Sequence, residues 1–141
     1  MTERIALVNP PTLERPQGYA HGVAVKSGRL LVIAGQVAHD RDGTMIGPGD
    51  LVAQFRQTCQ NIRDIVHSAG GRMTDVIKLT IFVLDIEDYK RKLEPLGRVY
   101  REDFGRHFPA MTLVGVRDLY LASEGQLIEI EGLAVLPPTL D

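Results

Sequence analysis

The chain has 141 residues, with 16 basic and 18 acidic side chains and a formal net charge of −2. A chain of this length is expected to form one domain, 1–141, with no need of a metal or disulfide staple, and 44% apolar with 24% charged residues is the composition of a soluble globular protein. The near-neutral balance without a basic run argues against nucleic-acid or membrane partners, and the lone Cys59 excludes an intrachain disulfide and a zinc cage built of cysteines.

The opening Met-Thr-Glu-Arg-Ile-Ala-Leu-Val has charges but no apolar stretch of secretory-signal length. No apolar run approaches the roughly 20 residues that span a bilayer. A cytoplasmic protein is the expectation.

Residues 5–8 read as a short strand, stopped by Asn9-Pro10-Pro11 because proline has no N–H for a ladder. Residues 21–25 and 29–34 are β-rich runs joined by Lys26-Ser27-Gly28, which predicts a hairpin. The glycine-, proline- and aspartate-rich stretch 37–50 is a loop. Asp50 then serves as an N-cap for a helix whose apolar positions, Val52, Phe55, Cys59, Ile62, Val66 and Ala69, recur at spacings of three and four. Cys59 is thereby a small core hydrophobe, and Gly70-Gly71 ends the helix.

A strand over 76–84 follows, with Ile77, Leu79, Ile81 and Val83 on one face and a mixed second face including Thr80 and Phe82. That second face is too apolar to be fully solvated, so a helix or a neighbouring subunit must cover part of it. Asp85 caps a second helical region with apolar positions from Tyr89 to Phe104; Pro95 predicts a kink or two helices meeting there, and Gly105 ends it. Strands over 111–116 and 126–136 complete an α+β layer with two helices on one face of a mixed sheet.

On the last strand Ile128, Ile130, Gly132 and Ala134 alternate with Glu129 and Glu131. A solvated face accommodates two glutamates; an inter-subunit cleft would instead make one of them available for proton transfer. The four histidines have no ligand spacing, so no metal is expected. No phosphate loop, nucleophile elbow or dinucleotide fingerprint occurs.

Tyr19-Ala20-His21-Gly22, Ile33-Ala34-Gly35-Gln36, Phe108-Pro109-Ala110 and Ile128-Glu129-Ile130-Glu131, with Asp75-Val76-Ile77-Lys78 and Phe82-Val83-Leu84-Asp85 between them, stand in an order that resembles the reactive intermediate deaminase (Rid) family. These proteins are also called YjgF-like or endoribonuclease L-PSP-like, and the resemblance covers about residues 15–136. It implies a chorismate-mutase-like α+β subunit, a homotrimer with a cleft between each pair of subunits, and a small-molecule substrate handled without cofactor or metal.

The resemblance makes Glu129 the water-positioning carboxylate and Tyr19 a pocket residue, with Ala34, Gly35, Phe82, Pro109, Met111 and Leu113 as further substrate-binding positions. Three positions depart from the family pattern. Met111 stands where an arginine binds the substrate carboxylate, Ala34 where a serine precedes Gly-Gln, and Leu113 where a cysteine is frequent. A thioether cannot make a bidentate contact to a carboxylate, so the substrate is expected to differ from the archetypal imino acid, with Arg106 or Arg117 as replacement anion-binding groups. The expected function is hydrolysis of a small imine or enamine. The alternative is a non-catalytic trimeric binding protein with the same cleft, while a net charge of −2 argues against ribonuclease activity.

Overall fold

The computed structural model describes residues 3–139. Its first two strands, β1 (Ile5–Val8) and β2 (Gly22–Val25), pair antiparallel with each other, Ile5 opposite Val25 and Val8 opposite Gly22. The hairpin expected between residues 21–25 and 29–34 does not form. Instead β3 (Arg29–Gln36) enters a second sheet and pairs with the last strand, β6 (Ile128–Leu136). Gly28 sits at the crossing with φ 136, a conformation that favours glycine. Arg4 stitches the two sheets together there, Nη1 donating to the carbonyls of Ser27 (3.3 Å), Val135 (2.9 Å) and Leu136 (3.2 Å). Its Nη2 meets the buried Asp75 carboxylate at 2.6 Å.

The second sheet has the order β3-β6-β4-β5, with β4 spanning Val76–Val83 and β5 spanning Ala110–Gly115. Both pairings of β6 are antiparallel and β4–β5 is parallel, so the sheet is mixed. A parallel pair needs a crossover, and two helices supply it: α2 (Ile86–Arg91) and α3 (Leu93–Phe104). They separate at Lys92, three residues before Pro95. Pro95 itself lies in the first turn of α3, where its missing N–H costs nothing.

The remaining helix, α1 (Leu51–Ser68), starts where Asp50 accepts from the Ala53 N–H and packs beside α3 over one sheet face. Phe55, Cys59, Ile62 and Val66 of α1, with Leu96, Val99, Tyr100 and Phe104 of α3, close over Ile33, Leu79, Ile81, Val83, Ile128, Ile130 and Ala134. Two details differ from the expected patterns. Leu51 rather than Val52 is fully covered, and a register shift between Val76 and Lys78 buries Val76 in place of Ile77.

The opposite face of the sheet is open among the described residues. Leu30 is 64% exposed and Val32 68% exposed, with Val114 beside the other edge of the sheet also exposed. The mixed second face read from the sequence thus carries exposed apolar residues without a cover from its own chain.

Candidate active site

A β-bulge sets up the first half of the site. Ile33 pairs with Gly132 and Gln36 with Ile130, so β3 spends one residue more than β6 between these points. The extra residue falls at Ala34-Gly35, and bulges of this kind redirect side chains near functional sites. Opposite it stands Glu129, half-buried on the open face of the sheet and paired in register with Phe82 of β4. The carboxylate lies directly on Gly35: a Cβ built there would come within 3.0 Å of Glu129 Cδ and 3.2 Å of Cγ. A Cβ here would displace the carboxylate from its place on the bulge. Glu131, the second carboxylate of the strand, is exposed.

The fully buried Gln126 fixes the carboxylate from behind. Its Nε2 donates to Glu129 Oε1 and to the Ile128 carbonyl, each at 3.2 Å, while its Oε1 accepts from the Leu121 N–H at 2.9 Å. A second buried glutamine, Gln54 of α1, accepts from the Leu127 N–H (2.8 Å) and donates to the carbonyls of Gly47 (2.9 Å) and Gly125 (2.7 Å). The loop before β6 is thus clasped on both sides, which narrows the positions open to Glu129.

The other half is a cavity of about 440 Å³ beside α3 and β5. Met111 and Leu113 form its floor, paired in register with Leu79 and Ile81 and turned under the helices. Tyr19 reaches it because the segment before β2 docks along β5, the Ala20 N–H donating to the carbonyl of the buried Pro109 at 3.0 Å. Tyr100 stacks between Phe104 and Phe108 at centroid distances of 4.4 and 5.3 Å and donates from its hydroxyl to the His107 carbonyl at 2.6 Å. Burial pushes the Tyr89 phenol, also in the wall, up to about 12, and burial raises the Tyr100 phenol too.

The residues singled out from the sequence therefore fall into two groups. Glu129, Gly35, Ala34 and Phe82 gather around the bulge, while Tyr19, Met111 and Leu113 line the cavity next to Pro109. Glu129 and Met111 lie on opposite faces of one sheet, so a single protomer does not bring them into a common space. Arg106 lines a neighbouring cavity with Arg15, Tyr19 and Phe108. Arg117 is exposed beyond β5 and lines neither cavity. Gln126, Gln54 and Arg101, which also lines the cavity beside α3, were not indicated by any motif. Among the described residues no three His, Cys, Asp or Glu side chains converge as a metal site, and no helix is long and apolar enough to cross a membrane.

A family model described as endoribonuclease L-PSP matches residues 12–136. The chain belongs to this family, the Rid or YjgF-like proteins. Among the relatives of this Rid protein, a RutC family protein of Pyrococcus horikoshii is 37% identical over 134 residues, covering 95% of this chain and 98% of that protein. The 2-iminobutanoate/2-iminopropanoate deaminase of Escherichia coli is 33% identical over 139 residues, covering 96% and 98%. The crystal structure of YyfB, a conserved Rid family protein of Yersinia pestis, is similar at a TM-score of 0.83 and 33% identity, covering 95% of this chain and 100% of that one.

Proposed function

We propose that this Rid protein hydrolyses the C=N bond of a small imine, or of the imine tautomer of an enamine, with Glu129 as the general base and acid. The observation that carries this reading is the carboxylate of Glu129, held by Gln126, seated on Gly35 and half-buried opposite Phe82 on the open face of the sheet. The relatives named as deaminases of 2-imino acids support the reaction class. A water held by Glu129 adds to the imine carbon, and Glu129 takes its proton. The proton then passes to nitrogen, the C–N bond of the carbinolamine breaks, and a carbonyl compound and ammonia leave. Imine and water on one side balance carbonyl and ammonia on the other, with no redox partner.

The catalytic cleft in this reading is built from two copies of the chain. Glu129, Ala34, Gly35 and Phe82 of one protomer face the cavity of Tyr19, Met111 and Leu113, next to Pro109, on its neighbour, and the exposed Leu30 and Val32 are covered in a homotrimer. Opposite placement on a single sheet supports this arrangement, since only a second copy can oppose the two halves. Met111, in the position of the family's arginine, supports a substrate other than the archetypal one.

Glu129→Gln tests the proposal. Ammonia release from an imine generated in solution should fall by about 10²-fold or more, the scale of general acid–base catalysis, with oligomer size unchanged by light scattering. Unaltered release would remove Glu129 from the chemistry. Met111 also favours a second reading, a binding protein without turnover; thermal stabilisation by ligands that the wild type never hydrolyses would support it.

A further inference from the structure

We propose that Arg101 receives the carboxylate of a ligand whose bulky apolar body fills the cavity beside α3, so that this member selects long-chain or aromatic 2-imino acids. The proposal rests on the reading above that this cavity is the ligand-holding half of the site. Neither of the cations expected from the sequence serves it: Arg106 belongs to the adjoining cavity and Arg117 to neither. Among the described residues, the sole cation lining the cavity beside α3 is Arg101.

Its position follows from α3. Arg101 lies four residues after Gly97, on the same helical face. A Cβ built on Gly97 would stand 3.3 Å from Arg101 Nη1, so the guanidinium rests against the bare glycine within the cavity wall. The adjacent acids point elsewhere, Glu102 to Arg56 at 3.2 Å and Asp103 to Arg63 at 2.8 Å. Among the described residues Arg101 enters no ion pair, and its fork of donors is open to a carboxylate.

The rest of the cavity sets the body of the ligand. Tyr89, Leu93, Phe108, Met111 and Leu113 present an apolar surface around about 440 Å³. The short chains of 2-iminopropanoate or 2-iminobutanoate would leave most of that surface wet, whereas an aromatic ring buries it. Apolar burial grows with the area covered, so affinity should rise with side-chain size.

Calorimetric titration of Glu129→Gln protein with stable 2-oxo acids tests the proposal without turnover. The probes are 2-oxo-4-phenylbutanoate, its neutral ethyl ester and 2-oxobutanoate. The phenyl acid is expected to bind about tenfold or more tighter than either of the others. Arg101→Met should weaken the acid by about tenfold, to the level of the ester, and leave the ester where it was. Gly97→Ala should weaken the acid in the same sense by crowding the guanidinium. Undiminished acid binding in Arg101→Met, equal binding of 2-oxobutanoate, or loss confined to Arg106→Met would overturn it. Arg101-dependent binding together with wild-type protein that never releases ammonia would sink the hydrolase and keep this assignment. Turnover that depends on Glu129 while binding ignores Arg101 would do the reverse.

Discussion

Gly35 and Glu129 are coupled by simple exclusion. The atom that any other residue would add at position 35 lands on the carboxylate group, and the flexible side chain yields before the backbone does. Gly35→Ala is therefore expected to fold, with ammonia release down about tenfold or more because the displaced carboxylate no longer meets the water in line. A melting temperature near that of the wild type combined with full turnover would show that Glu129 has a second productive rotamer. Tyr89 and Tyr100 make a different residue-scale statement. Burial raises both phenols, Tyr89 to about 12 against an ordinary value of 10.0, so the folded chain keeps them protonated where the unfolded chain does not. The Tyr89 contribution is complete below pH of about 10 and disappears as the pH rises towards about 12, while that of Tyr100 persists to higher pH. Urea unfolding measured across that interval should show falling stability, with tyrosinate absorbance appearing together with unfolding. Cys59 behaves as its helical spacing indicates, buried and with its thiol pushed up by burial.

The α1 element was legible where its signals are local. Asp50 caps it, and Phe55, Cys59, Ile62 and Val66 form its buried stripe. Gln54 and Thr58 share that stripe and are equally buried, a placement hidden from hydrophobic patterning because polarity at those positions reads as solvent. The reason for Gln54 is tertiary: it satisfies one N–H and two carbonyls of loops distant in sequence. Gln54→Leu leaves those backbone groups unpaired, each at a cost of about 1–3 kcal/mol when buried. Chemical denaturation should reveal a loss of about 2 kcal/mol or more, and a neutral result would show that water replaces the amide. The break between α2 and α3 follows the same division. Pro95 announced an interruption, but the helix absorbs proline in its first turn and parts at Lys92.

At the scale of the molecule, Leu30 and Val32 on β3 leave adjacent apolar side chains open to solvent. If copies of the chain cover them, as the proposed cleft requires, two charges there should dissolve the assembly. The Leu30→Glu, Val32→Glu double variant is expected to run as a single chain in light scattering, keep its far-ultraviolet circular dichroism, and lose ammonia release because each cleft loses one wall. An unchanged oligomer would move the subunit contact to another face.

Family resemblance supplied Glu129, Ala34 and Gly35 as site candidates, whereas local signals specified the α+β class, the positions of most strands and helices, and the caps at Asp50, Asp85 and Gly105. The latter rest on local rules: spacing along the chain, turn chemistry and capping act over a few residues and are written in them. Strand partners were another matter. Whether β2 turns back onto β3 or joins β1 depends on the competing attraction of β6, more than ninety residues away, and on Arg4 closing the gap between the sheets. Long-range packing also sets Glu129 and Met111 on opposite faces and makes Arg101 the cation that lines the cavity with Met111. Which side chains share a space is a sum over long-range packing, and no short stretch of sequence contains it.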